Sequence, residues 1–221
     1  MIWSMRAEQS RAEWARRILR DRARDSPLTR NASVTTSRCC YRGENSKMDF
    51  LNIPAFAGPE LLHVVIESPK GSGLKLKYEP RWQAMGISRP LPAGLVFPFD
   101  WGFVPSTRGA DGDPVDAFVM WDVAAFPGVV VVCRILGVLR IEQNAANFDP
   151  TRRVRNDRIL ALPAAARREA EWRNFADIPE RVRHECVEFT ISAAALEGKD
   201  VAVLGWGEPE EAVELIRASL P

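Results

Sequence analysis

Three carboxylates fall within six residues at Asp111-Gly112-Asp113-Pro114-Val115-Asp116. Side chains of like charge held this close repel one another, and a hard divalent cation is the usual partner that makes the arrangement favourable. Gly112 permits a tight backbone path, and Pro114 fixes φ while removing one N–H. The segment therefore reads as a rigid turn entering a strand over 115–120, aiming several oxygens at one point. The competing reading is a solvated acidic turn, because Asp, Gly and Pro are also the ordinary residues of loops. An EF-hand loop does not fit: its fifth position would be apolar Val115, and its sixth, which must be Gly, is Asp116.

Other charged residues surround this turn in a definite order. Glu67 ends a predicted strand over 61–66, Lys77 and Glu79 flank Tyr78 in a second over 74–79, and Arg89 follows. Strand alternation puts Lys77 and Glu79 on one face. Taken alone, a cation beside a carboxylate is an ordinary surface pair.

The elements that must position these groups are short apolar runs separated by Gly and Pro, from residue 48 onward. A turn over 69–73 joins the first two strands, an aromatic strand covers 97–104, another covers 115–121, and 129–141 supplies two strand-length segments around Arg134. Five or six strands in so little chain point to a barrel or a strongly curved sheet. Helices come late. Pro179 is placed as a first helical residue, with Val182, Cys186, Phe189 and Ala193 following at intervals of four, three and four. A second helix starts near Pro209, with Ala212, Leu215, Ile216 and Leu220 on one face.

With 221 residues and 46% apolar content, one well-buried domain is the default. The longest apolar run, 123–139, is broken by Pro127, Gly128 and Arg134, whereas a membrane span needs about 20 nearly uninterrupted apolar residues. No membrane association is expected. Residues 1–47 hold 11 Lys/Arg against 5 Asp/Glu, while the rest holds 19 against 24. That acidic balance excludes a nucleic-acid partner, whose binding draws on Lys and Arg. Cys39, Cys40, Cys133 and Cys186 show no C-x-x-C spacing and read as reduced thiols of a cytoplasmic protein. His63 and His184 have no zinc spacing and read as structural.

The first 47 residues are Arg-rich and carry no contiguous apolar h-region, so they are not a secretory signal. Three accounts of this non-core extension stand: a disordered tail, a transit-like peptide, or translated sequence upstream of a start at Met48.

Glu67-x-Pro69, Lys77-Tyr78-Glu79, Arg89, Pro98-x-x-Trp101-Gly102-Phe103, the Asp111 to Asp116 turn, Gly137-Val138-Leu139 and Gly205-Trp206 together resemble the family I soluble inorganic pyrophosphatases, over roughly residues 48–221. The resemblance implies an α+β, mainly β fold: an OB-like five-stranded closed barrel with two flanking C-terminal helices. It also implies Mg²⁺, or Mn²⁺, at one mouth of the barrel, hydrolysis of inorganic diphosphate to two phosphates, and a homo-oligomer. Asp111 and Asp116 match metal ligands, Glu67 an outer metal-site acid, and Asp113 the group that takes a proton from the attacking water. Lys77 and Arg89 match phosphate-binding cations, and Glu79 a supporting acid. The chemistry agrees with these residue types. Diphosphate repels nucleophiles, so cations must neutralise it, and a divalent ion in an all-oxygen site makes water acidic enough to attack.

Departures from the family pattern fall on the same site. The family's Asp-Glu pair lands on Gln143-Asn144, a further metal-ligand Asp on Asn156, and a family Lys on Arg158, with an extra loop over 145–155. Two phosphate-site tyrosines correspond to Phe97 and Trp101, and a Tyr-Lys pair to Phe189 and Thr190. Asn156 still offers a carbonyl oxygen to a metal, and Glu142, Asp149 or Asp157 would restore a carboxylate if the loop folds inward. Arg158 keeps the charge and adds bidentate phosphate geometry. Three functions compete: a divergent metal-dependent pyrophosphatase, a non-catalytic phosphate or diphosphate binder, and a hydrolase of another phosphoanhydride.

Overall fold

Strands dominate, and five of the ten are largely buried on both faces. The structure is a computed structural model describing residues 49–144, 152–195 and 197–221. Residues 1–48, including the N-terminal extension, and most of the extra loop with Asp149 lie outside the described residues.

In chain order the strands are β1 (Phe56–Gly58), β2 (Leu61–Ser68), β3 (Leu74–Glu79), β4 (Ala84–Pro90), β5 (Asp100–Phe103), β6 (Asp116–Val119), β7 (Val130–Asn144), β8 (Arg153–Arg155), β9 (Arg158–Pro163) and β10 (Val201–Gly207). The helices are α1 (Glu180–Ala195) and α2 (Pro209–Ala218). Strands β2, β5, β6, β9 and β7 form a closed ring, because β7 pairs back onto β2 with Leu62 opposite Cys133. Strand β10 extends β7, and β3 with β4 forms a separate hairpin. The expected five-stranded closed barrel with two late helices is present.

Alternation along the strands separates two apolar cores. Leu62, Val64, Ile66, Ala117, Val119, Ile159 and Ala161 cluster with Ala212 and Ile216 of α2. Their sequence neighbours Phe118, Leu160 and Leu162 cluster instead with Cys186, Phe189 and Ala193 of α1. Burial on both faces explains why these strands read as nearly continuous apolar runs. Leu220 does not share the buried face: it lies beyond α2 and is 40% exposed.

Two expectations need correction. The segment 129–141 is not two strands but part of one 15-residue strand, β7. Gly137 does not interrupt that strand: it sits in a bulge, at φ 145°, where a Cβ would fall 2.4 Å from the Gly207 carbonyl oxygen. Arg134 does not interrupt β7 either, since its guanidinium reaches the Ala170 carbonyl at 3.0 Å. The aromatic strand is also shorter than 97–104, covering only Asp100–Phe103. Pro98 can donate no ladder bond. Fully buried Asp100 organises the flanking loops, accepting from Lys70 N at 2.7 Å and Trp121 Nε1 at 2.8 Å.

Candidate active site

One pairing in the barrel is parallel, and it builds the site. β6 and β9 run side by side with Ala117 opposite Ile159, so both strands begin at the same end of the ring. The preceding residue of each, Asp116 and Arg158, therefore meet there. Arg158 Nη1 lies 2.8 Å from Asp116 Oδ2. The same nitrogen donates to the Asn156 carbonyl oxygen at 2.8 Å and to Asn156 Oδ1. The guanidinium carbon sits 5.2 Å from the centre of the Trp101 ring.

The acidic turn that leads into β6 is rigid, as its composition predicts. Gly109 N donates to Asp113 O at 2.7 Å, Asp113 N to Asp111 Oδ1 at 3.2 Å, and Gly112 adopts φ 90°. A buried threonine missed by sequence reading secures its far end: Thr107 Oγ1 accepts from Val115 N at 2.9 Å and donates to Val104 O at 2.6 Å.

Most of the expected residues line one cleft of about 570 Å³: Glu67, Lys77, Glu79, Asp111, Asp113, Asp116, Asn156 and Arg158. Glu67 is buried at 6% exposure and accepts from Tyr78 N at 2.7 Å. Burial pushes its carboxyl up to about 7, the Tyr78 N–H pulls it back in part, and the Asp116 charge raises it further. Asp111 is likewise held above the usual carboxylate range, first by burial and then by the Asp116 charge. Lys77 Nζ lies 2.8 Å from Asp113 Oδ1. Burial opposes the charge on Lys77, but the hydrogen bond and charge of Asp113 outweigh it and raise its pKa. Glu79 lies at the cleft's outer edge, where a hydrogen bond from Arg81 lowers its pKa.

Arg89 does not line this cleft. It lines an adjoining narrow pocket of about 50 Å³, with Gln143, Phe189 and Thr190. Asp157 is placed elsewhere too: its Oδ1 accepts from Ile141 N at 2.8 Å, and Arg155 pairs with its carboxylate at 2.7 Å. Asn144 Oδ1 accepts from Asp200 N at 2.9 Å, and the Thr190 hydroxyl donates to Cys186 O at 2.7 Å. Glu142 is not among the residues lining either cavity.

Sequence reasoning missed Lys75 and Lys199, which line both cavities together with Arg158. Lys75 pairs with Arg89 across the β3–β4 hairpin. Burial pushes its ammonium pKa down, and Arg158, Arg89 and Lys199 push it further, against the Asp116 charge. Its position two residues before Lys77 on one strand is the signal that would have found it.

The donors in the larger cleft are carboxylates and one amide, a set suited to a hard cation, and their mutual repulsion is what such a cation would relieve. Among the described residues no three His, Cys, Asp or Glu side chains form a ready metal-holding group. Mg²⁺ is commonly held by one or two carboxylates together with water and substrate phosphate, and Asp111 and Asp116 line the cleft together. The residues fit the ion in this open mode.

The family described as inorganic pyrophosphatase matches this chain over residues 64–221. The chain belongs to the inorganic pyrophosphatases. An inorganic pyrophosphatase of Thermus thermophilus is 36% identical over 165 residues, 73% of this chain and 90% of that one. One from a Nostoc species is 32% identical over 173 residues, covering 78% and 98%. Among solved structures, the Thermus thermophilus inorganic pyrophosphatase aligns with a TM-score of 0.70 at 34% identity, over 77% of this chain and 96% of that chain. The pyrophosphatase likeness thus spans the barrel, the acidic turn and both helices.

Proposed function

We propose that this chain hydrolyses inorganic diphosphate to two phosphates at the β6–β9 end of the barrel. The observation that carries the reading is the meeting of a carboxylate cleft and a cationic pocket along three cationic side chains, Lys75, Arg158 and Lys199, which line both. Such a pair of chambers suits a substrate whose two phosphoryl groups need different partners.

Asp111 and Asp116 would hold Mg²⁺ or Mn²⁺, with Glu67 as an outer acid. When bound, the ion neutralises phosphate charge and raises the acidity of the attacking water. Asp113, held by Lys77, takes the proton from that water. Lys75, Arg89 and Arg158 bind and orient the phosphoryl groups, withdrawing charge as the bridging oxygen leaves. Asn156 orients Arg158 through its backbone and amide oxygens. Asp157 supports the end of β7.

The test is phosphate release from diphosphate by the purified full chain. Release should require Mg²⁺ or Mn²⁺, disappear with EDTA, and fall more than about a hundredfold in Asp116→Ala. Release no greater than that of an Asp111/Asp116 double alanine variant would refute the assignment. A second reading, diphosphate binding without turnover, draws on Asn144 and Asn156, whose amide oxygens are already engaged. Calorimetry showing binding without release would select it. A nucleotide substrate is disfavoured, since Phe97 and Trp101 are buried and offer no open face for a base.

We extend the reading to a homo-oligomer. That extension draws on the family to which the chain belongs. Light scattering on an eluting peak would report the subunit number. No helix among the described residues is long and apolar enough to cross a membrane. Cys133 and Cys186 are buried and unpaired, which supports a cytoplasmic location. Fractionation with a tagged chain tests that location.

A further inference from the structure

The crowding of oxygens around one nitrogen, Arg158 Nη1, is greater than a guanidinium can use. Such a nitrogen carries two hydrogens, yet four oxygens surround this one: Asp116 Oδ2 at 2.8 Å, the Asn156 carbonyl at 2.8 Å, Asn156 Oδ1, and the Asp157 carbonyl at 3.4 Å. More oxygens than hydrogens is the setting of a metal ion, which takes about six at once. One carboxylate, one amide and two peptide oxygens also make the all-oxygen set that a hard divalent ion prefers.

The cage is held firmly. Asn156 N donates to Ile141 O at 2.9 Å and Asp157 Oδ1 accepts from Ile141 N at 2.8 Å, so both backbone groups of one β7 residue anchor the segment that carries the oxygens. Asp157 is buried, and Arg155 Nη2 donates to its other oxygen at 2.7 Å. The Trp101 ring, 5.2 Å from the guanidinium carbon, lies against Arg158. Arg158 itself is 8% exposed, so little solvent reaches the group to screen its charge.

We propose that Arg158 stands in for a divalent ion. Its guanidinium fills the position between Asp116 and Asn156, and a second cation there would meet a like charge at contact distance in a poorly screened cleft. Position 156 is also where the pyrophosphatase pattern has an acid, so this cage holds one negative charge, which a protein cation already balances. The substrate-free chain therefore takes its ion at Asp111 and Asp116 alone and does not assemble a second ion bridged through Asp116. The site thus keeps part of its positive charge whatever the supply of free metal. The inference rests on the reading of Asp111 and Asp116 as ion ligands, and counting bound ions tests it without turnover.

The experiment titrates Mn²⁺ into the substrate-free full chain and follows the ion by electron paramagnetic resonance, for wild type, Asn156→Asp and the double variant Asn156→Asp/Arg158→Met. The expected result is about one ion per chain in wild type and in Asn156→Asp, and about two in the double variant, which restores the acid and removes the guanidinium. The bound-ion spectrum of wild type is a second readout that needs no variant to fold. A lone Mn²⁺ keeps its hyperfine lines, whereas two ions about 4 Å apart couple and lose them. Two coupled ions in wild type overturn the proposal and leave the hydrolase reading standing. Two ions in Asn156→Asp overturn it as well, because the missing carboxylate, not Arg158, would then have kept the ion out. A folded double variant that still takes one ion does the same. No ion on wild type sinks both the proposal and the assignment of Asp111 and Asp116. The expected counts in a protein that releases no phosphate from diphosphate support this role of Arg158 and sink the hydrolase reading.

Discussion

Arg158 Nη1 and Asp116 Oδ2 stand 2.8 Å apart at the entry of two parallel strands, so a fixed protein cation already accompanies a carboxylate proposed to hold the divalent ion. The Arg158 side chain is only 9% exposed, so solvent screens the pair poorly. Arg158→Met should tighten Mn²⁺ binding to the substrate-free protein about tenfold, because it removes a like charge from the ion's neighbourhood. The same change should lower diphosphate turnover about a hundredfold by removing a phosphate donor. Electron paramagnetic resonance of free Mn²⁺ and phosphate release measure the two effects. Equal Mn²⁺ affinity in both proteins would show that Arg158 and the ion do not compete.

Glu67 gives the metal-free protein a pH dependence of stated sign. Its carboxyl rises from the ordinary 4.5 to about 7 in the folded chain, so between those values the folded state binds more protons than the unfolded one. Stability is therefore full below about pH 4.5 and is lost as pH rises through about 7, by roughly 3 kcal/mol in all. Glu67→Gln keeps an acceptor for the Tyr78 N–H and should flatten that slope. Urea unfolding in EDTA between pH 5 and 8 measures it, and equal slopes for wild type and variant would contradict the account.

Lys75 and Lys77 should separate sharply on substitution. Lys75 lines both cavities, whereas Lys77 is 48% exposed and pairs with Asp113, itself 61% exposed. Lys75→Met should raise the diphosphate KM at least about tenfold. Lys77→Met should leave stability within about 0.5 kcal/mol, as exposed pairs do, and act mainly on kcat through Asp113. Steady-state kinetics and thermal melts of the two variants test this division.

Gly102 marks the closest backbone approach in the ring. A Cβ there would lie 2.0 Å from the Val65 carbonyl oxygen, in the middle of the β2–β5 pairing. Gly102→Ala should cost about 4 kcal/mol or prevent folding. Gly58→Ala, where a Cβ meets nothing within 4 Å, should change stability little. Circular dichroism on both variants reads the contrast.

The acidic turn was legible because its chemistry is local: Gly112 and Pro114 dictate the backbone path whatever surrounds them. The late helices were legible from the spacing of Cys186, Phe189 and Ala193. Lys75 was not, since its importance comes from facing Arg89 across a hairpin and from cations brought in by β9 and the segment before β10. Asp157 shows a different failure. Its neighbours Asn156 and Arg158 face the cleft, and alternation alone would have put the residue between them on the other side. Arg134 misled because a charged side chain within a continuous strand can reach an acceptor beyond it, here the Ala170 carbonyl.

Strand β7 holds its five-residue pairing with β2 at one end and its pairing with β10 at the other, Val138 lying opposite Gly207. During synthesis the ring cannot close before Pro163 has emerged, and the far edge of β7 stays without β10 until Gly207 follows. Contacts so distant in sequence slow folding, and an open strand edge is a template for pairing with another chain. A nascent chain halted between those two residues would therefore be the form most in need of a chaperone.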